Sequence, residues 1–140
     1  MTFKISQLSE RQVQDLRSSF ARLGDQFNGA KFVTVDAIQS TYDALLASPE
    51  WDEDRVTALG VAFGEMICAH GDFEWVRVED EYGTGPALAP IGFDIVCSPI
   101  DMIEKRLEDR EVVDLSDLCS DTIAAIEGII EAGDAGPRVT

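Results

Sequence analysis

Apolar residues recur at alternating steps of three and four along the first part of the chain. The first such stripe comprises Val13, Leu16, Phe20, Leu23 and Phe27. This spacing is that of one face of an α-helix. Ser9 and Gln12 have the spacing of a capping box, which predicts that the helix begins there. A second helix is predicted at about residues 35–47, where Pro49 ends it. Residues 1–48 therefore predict an N-terminal helical hairpin.

A third helix is predicted after Asp52, a residue type that caps helices. Its apolar face comprises Val56, Leu59, Phe63, Met66 and His70. A second stripe of the same helix consists of small residues, namely Gly60, Gly64 and Cys68. Because glycine costs about 1 kcal/mol inside a helix, two of them predict the close approach of another backbone. We expect this helix to be central and to end at Gly71.

After Gly71 the apolar period changes to two, which indicates strands. Residues 73–78 predict one strand, and residues 91–98 alternate as its partner. The breakers between them are Gly83, Gly85, Pro86 and Pro90. They predict a long, irregular connection rather than a two-residue turn, with room for a short extra strand at residues 86–89. Val112 and Val113 are candidates for a short edge strand.

The helical period returns at Pro99, which suits the first helical position. Ser98 is the predicted cap, and Asp101 completes an acidic variant of the capping box. A last helix is predicted at roughly residues 116–132, and residues 133–140 are expected to fray. The sequence thus predicts a single helix-rich α+β domain with a small antiparallel sheet packed on helices. Its α+β core spans residues 50–132.

The net charge of −16 is unevenly distributed. Residues 1–48 carry five acids and five bases, so the whole excess lies in residues 49–140. Such a surface repels nucleic acids and anionic membranes, and it attracts a basic protein. The alternative interpretation is that the charge only keeps the protein soluble.

Other classes of site are disfavoured by residue type and spacing. The sole histidine and the three cysteines stand in separate segments, so we expect no metal and no cofactor. His70 is interpreted as a helix-end cap. The odd number of cysteines and the absence of an apolar leader at the start of the sequence predict reduced thiols in the cytoplasm. No apolar run approaches the roughly 20 residues of a membrane span.

The stretch EWVRVEDEYGTGP at residues 74–86 concentrates the candidate site residues. As a catalytic pair, Glu79 and Glu81 would lie about 6–7 Å apart on one face of a strand. The favoured interpretation is a hairpin end, where acids, an aromatic residue and glycine suit the turn. The candidate binding residues are Trp75, Glu79, Asp80, Glu81, Tyr82 and Arg106. No catalytic residue is predicted.

The hairpin is expected to close onto the helix that carries Arg106. In this hypothesis Gly83 has a positive φ, Trp75 lies in the core, and Arg106 reaches the Asp80–Glu81 corner. For Arg106 itself, solvated pairs on its own helix are the favoured interpretation, and the contact with the Asp80–Glu81 corner is the alternative. An exposed Trp51 would instead be an anchor for a protein interface.

Three motifs in order resemble an uncharacterised bacterial family, a domain of unknown function. They are LGVAFGE at 59–65, Trp75 followed by DEYGT at 80–84, and SPIDMIEKRLEDRE at 98–111. The family pattern is a GxxFGE helix, a W…DEYG hairpin and a PxxxIxKR helix. The resemblance covers roughly residues 50–132 and implies a small α+β domain of unknown role.

Together these features favour a non-enzymatic protein-binding module with a basic partner. Its sharpest form is an immunity protein that neutralises a cationic toxin. The alternative is a small carboxylate-dependent hydrolase or ligand-binding enzyme that uses Glu79, Glu81 and Arg106. A purely structural or oligomeric module is the third possibility.

Overall fold

The computed structural model describes residues 4–26, 35–81 and 83–137, and for residues 19–26 it describes the backbone alone. In these ranges the elements are β1 (Lys4–Ser6), α1 (Glu10–Gln26), α2 (Val35–Ala47), α3 (Glu53–His70), β2 (Phe73–Asp80), β3 (Gly83–Pro90), α4 (Pro99–Glu108) and α5 (Leu115–Glu131). The sheet is antiparallel, in the order β1-β2-β3. The predicted helix-rich α+β fold is therefore confirmed.

The predicted helix starts rest on local hydrogen bonds. The backbone N–H of Ser9 donates to the Gln12 side chain at 2.9 Å, and the N–H of Gln12 donates to the Ser9 hydroxyl at 3.1 Å. This is the predicted capping box at the start of α1. Asp52 caps α3 by accepting from the N–H of Asp54 at 2.9 Å. The side chains of Phe20, Leu23 and Phe27, which continue the predicted stripe of α1, lie outside the described residues.

Helix α3 is the centre of the molecule, as predicted. It contacts α1, α2, α4, α5 and β2. Its residues Leu59, Phe63 and Ile67 have no exposed surface, and the main apolar core is built around them. The other elements are thus positioned by their packing on one buried helix.

The small stripe of α3 allows the predicted close approach. A Cβ atom on Gly60 would lie 2.5 Å from the Cα of Ile100 in α4. A Cβ atom on Gly64 would collide with the indole ring of Trp75 and lie 3.0 Å from Cγ of Pro99. Both glycines therefore bring α4 and β2 into direct contact with the α3 backbone.

The second strand of the hairpin differs from the prediction. β3 occupies residues 83–90, directly after a two-residue turn, since Asp80 pairs with Gly83. Residues 91–98 form no strand, although Cys97 makes one isolated bridge to Leu88. The predictions of a strand at 91–98 and of a long irregular connection were therefore wrong, whereas the short extra strand expected at residues 86–89 lies within β3.

The prolines of β3 explain this difference. Leu88 exchanges both backbone hydrogen bonds with Cys97, each at 2.8 Å, so its N–H points away from β2. Because a strand alternates, Pro86 and Pro90 also have their nitrogens on that outer side. Proline is compatible with a strand where its missing N–H faces away from the neighbouring strand.

Two smaller expectations also require correction. Residues 112–113 form no edge strand, and β1 was not predicted. Ser98 stands at the N-cap of α4 but makes no side-chain capping hydrogen bond, whereas Pro99 takes the predicted first position. Within the segment expected to fray, Gly136 accepts a backbone hydrogen bond from Asp94 at 2.9 Å.

The connection between α4 and α5 is clasped by side chains of α2. The Tyr42 hydroxyl donates to the Glu111 carbonyl at 2.6 Å, and Gln39 bonds the backbone of both Val113 and Leu115. In return, the Arg110 guanidinium donates to the Ser48 carbonyl at 2.8 Å. We call this set of contacts the α2 clasp.

Trp51 belongs to the same region and is not an exposed anchor. Its indole N–H donates to the Leu45 carbonyl at 2.6 Å, and the Arg110 guanidinium carbon lies 4.8 Å from its ring centre. The cation–π contact and the hydrogen bond hold the ring against α2.

Candidate functional site

A cleft lies between the end of the β2–β3 hairpin and the first turn of α4. Its volume is about 250 Å³. One wall consists of Val78, Asp80 and residues 83–87, and the other contains Ser98 and Asp101. We call it the hairpin cleft.

Strand alternation divides the acidic residues of the hairpin. Val78 and Asp80 lie on the face of β2 that lines the cleft, so Glu79 lies on the opposite face. Glu79 is exposed, and it pairs with Lys4 of β1 in the antiparallel ladder. Glu81 lies in the turn and is also exposed. The two glutamates that were weighed as a catalytic pair therefore do not line the cleft.

Trp75 shares the other face of β2 with Glu79 and is partly buried against α3. Its ring contacts Gly64, and its indole N–H donates to the Glu65 carboxylate at 3.1 Å. Trp75 therefore packs in the fold, as predicted, and is not a cleft residue. Tyr82 lies outside the described residues.

Arg106 bonds to its own helix and not to the hairpin. Its guanidinium donates to the Met102 carbonyl of its own helix at 3.1 Å. It is close enough to Tyr42 that its charge lowers the phenol pKa, although burial and Glu111 together raise that pKa to about 12. The alternative contact of Arg106 with the Asp80–Glu81 corner is therefore not supported, because the first turn of α4, and not its last, faces the hairpin.

The cleft residues that the sequence analysis missed are Thr84, Ser98 and Asp101. Only Asp101 and Ser98 were singled out at all, and then as caps. A correct position for β3 would have found them, since that strand leads through the Leu88–Cys97 bridge directly to the start of α4. These residues can therefore be recognised as cleft residues only from their positions in the fold.

The cleft is rich in hydrogen-bond acceptors. Asp80 and Asp101 contribute carboxylates from different elements, and Ser98 contributes a hydroxyl, whereas Thr84 pairs with Glu79 and directs its side chain to the opposite face. Asp101 stands in the first turn of α4, where the helix dipole stabilises a negative charge. Carboxylates and a hydroxyl together suit an ammonium or guanidinium group.

The cysteines lack the lowered pKa of activated nucleophiles. Burial raises the pKa of the Cys68 thiol to about 12 and that of Cys97 to about 11, and it also raises the pKa of Cys119. All three thiols are therefore protonated near neutral pH. His70 is exposed at the end of α3, where its Nδ1 donates to the Met66 carbonyl at 2.8 Å.

Two classes of feature are absent from the described part of the chain. Within residues 4–26, 35–81 and 83–137, no group of three or more His, Cys, Asp or Glu side chains is placed to hold a metal ion. Among the helices described, none is both long and apolar enough to cross a membrane.

The turn of the hairpin depends on Gly83, which has the predicted positive φ, at 137°. We expect Gly83→Val to lower the free energy of unfolding by about 1–3 kcal/mol, because a branched side chain strains this backbone conformation. Gly85 is the matched control, since it lies in the same strand and also has open space around its Cβ position. Urea unfolding of both variants tests this, and equal stability of Gly83→Val and wild type would contradict it.

Comparison with known proteins agrees with the resemblance seen in the sequence. The model of a family described as Domain of unknown function (DUF3806) matches residues 34–118. This match is more than half of the chain. It begins earlier and ends earlier than the predicted 50–132, so it includes α2 and only the start of α5.

A crystal structure of a protein from Bacteroides thetaiotaomicron VPI-5482, at 1.50 Å resolution, has a similar fold. The TM-score is 0.72 at 13% sequence identity, over 88% of this chain and 48% of that one. The chain thus spans about half the length of its structural neighbour, and the likeness concerns the fold alone. No curated protein matches the chain significantly.

Proposed function

The chain belongs to the DUF3806 family of unknown function, and from the geometry of the hairpin cleft we propose that it is a non-enzymatic module that binds a basic segment of a partner protein. The observation that carries this proposal is the presence of two carboxylates, Asp80 and Asp101, on the walls of one cleft. A lysine or arginine side chain of the partner supplies the donors that these oxygens accept.

The charge of the chain supports the same partner chemistry. The excess of 16 negative charges lies in the part of the sequence that forms α3, the hairpin, α4 and α5. Such a field accelerates the association of a cationic protein and weakens as salt is added. An immunity protein that neutralises a cationic toxin is the sharpest form of this proposal. The three free thiols favour a cytoplasmic location for it.

The test compares two charge-matched double variants for binding to a hexalysine peptide. Asp80→Asn with Asp101→Asn changes the cleft, whereas Asp121→Asn with Glu127→Gln makes the same charge change at exposed positions of α5. We expect the cleft variant to lose about tenfold in affinity, which corresponds to about 1.4 kcal/mol. The α5 variant should lose little.

Isothermal titration at low and high salt measures both effects. Equal losses in the two variants would show that only net charge matters, and this would contradict a specific site in the cleft. Capture of partners from a host lysate on wild type and on the cleft variant then identifies the natural ligand. A partner retained equally by both proteins would contradict the role of Asp80 and Asp101.

One observation also favours the alternative of a carboxylate-dependent hydrolase. Asp80 and Asp101 are two acids that face the same cleft, as such an enzyme requires. They replace Glu79, Glu81 and Arg106 as the residues of that hypothesis. A substrate screen in which turnover is found and then lost in a folded Asp101→Asn variant would favour the enzyme over the binding module.

A further inference from the structure

Three side chains lie in one row across the sheet. Trp75 pairs with Leu88 in the antiparallel ladder, and Leu88 pairs with Cys97 through the isolated bridge. Directly paired residues of antiparallel strands place their side chains on the same face. Because Leu88 is fully buried in the main core and Trp75 contacts α3, Cys97 is also directed to the face that α3 covers.

Cys68 approaches this row from α3. It follows Gly60 and Gly64 at steps of four, so it lies on the same stripe of the helix. That stripe contacts Ile100, Pro99 and the Trp75 ring. Gly60 faces Ile100 and Gly64 faces Pro99, so the chain opposite α3 runs backwards in sequence. The next position of the stripe, Cys68, is therefore directed towards the segment that contains Cys97.

The electrostatics of the two thiols agree with this geometry. After burial and Glu65, the charge of Cys97 is a further cause that raises the pKa of Cys68. Both thiols are only partly buried, whereas Cys119 is buried in the core and has no such coupling to another cysteine. Cys68 and Cys97 are thus two partly buried thiols that pack against the same core and interact electrostatically.

We propose that Cys68 and Cys97 are a redox-responsive pair that closes into an intramolecular disulfide when the protein meets a small disulfide oxidant. One thiolate attacks a sulfur of oxidised glutathione and releases one reduced glutathione. The second thiolate then displaces the other glutathione from the mixed disulfide, and two protons pass to the two released thiols. The bond ties α3 to the segment before Ser98, and hence to one wall of the hairpin cleft.

Incubation of the folded protein with oxidised glutathione at mildly alkaline pH tests the pair. The raised pKa values make the reaction slow at neutral pH and faster as pH rises. We expect an intact mass lower by two hydrogens, with one thiol left for alkylation, and a higher melting temperature than that of the reduced protein. Peptide mapping should place the bond between residues 68 and 97.

Cysteine-to-serine variants provide the controls. Cys119→Ser should still lose two hydrogens, whereas Cys68→Ser and Cys97→Ser should not. A wild-type product that carries glutathione adducts instead of the internal bond would overturn the proposal. So would a bond that forms in Cys68→Ser, or one that requires Cys119. None of these outcomes depends on the proposed binding of a basic partner.

Discussion

Replacing Gly60 by alanine is expected to lower the free energy of unfolding by about 1–2 kcal/mol, although alanine is the better helix former. The added Cβ would lie 2.5 Å from the Cα of Ile100, a backbone atom that no rotamer change can move away. Overpacking of this kind costs about 1–3 kcal/mol, occasionally more, and it exceeds the gain of about 1 kcal/mol in helix propensity. Urea unfolding followed by circular dichroism measures the difference.

Gly128→Ala is the matched control in α5. This glycine is also helical, but outside its own stretch of helix no atom lies within 4 Å of its Cβ position. The same substitution should therefore stabilise the protein by about 0.5–1 kcal/mol. Opposite signs at the two positions would establish the close contact of α3 with α4, and a Gly60→Ala variant as stable as Gly128→Ala would refute it.

The three motifs that resemble the family meet at this contact. Gly60 and Gly64 of the first motif receive Ile100 and Pro99 of the third, and the Trp75 ring packs on Gly64. Glu65 of the first motif accepts the hydrogen bond of the Trp75 indole. These residues therefore mark the packing of α3, β2 and α4, which explains why the resemblance predicts the fold and not the function.

Helices were predictable because their signals are local. The Ser9–Gln12 capping box, the Asp52 cap and the small stripe of α3 each depend on residues within two turns. β3 was not predictable in the same way. Pro86 and Pro90 are strand breakers unless their nitrogens face the outer edge, and that depends on pairing with β2 and Cys97.

The candidate site could be predicted only in part for the same reason. Asp80 was found because the acids of the hairpin are adjacent in sequence. Asp101 could not be assigned to the same cleft without the correct position of β3, which leads to the start of α4. Arg106 was assigned to the hairpin because it is a cation on the following helix. At about 1.5 Å of rise per residue, however, it lies roughly 10 Å along α4 from Pro99.

The α2 clasp provides the second large expected effect, through Gln39. Its side-chain oxygen accepts from the N–H of Leu115 at 2.7 Å, and its nitrogen donates to the Val113 carbonyl at 2.9 Å. Leu115 is the buried first residue of α5, so its N–H has no partner within the helix. We expect Gln39→Ala to lower the free energy of unfolding by about 2 kcal/mol, because two partly buried backbone groups lose their partners.

Two further variants distinguish the loss of these hydrogen bonds from the general effect of shortening a glutamine side chain. Gln14→Ala, at an exposed position of α1, should change stability by less than about 0.5 kcal/mol. Gln39→Glu keeps an acceptor for Leu115 but has no donor for Val113 when ionised, and it adds a charge near Asp43, which Gln39 contacts at 3.0 Å. It should therefore be less stable than wild type at neutral pH and recover as the new carboxyl is protonated and becomes a donor. If Gln39→Glu were as stable as wild type at neutral pH, the bond to Val113 would contribute nothing, and the clasp would depend on Leu115, Tyr42 and Arg110.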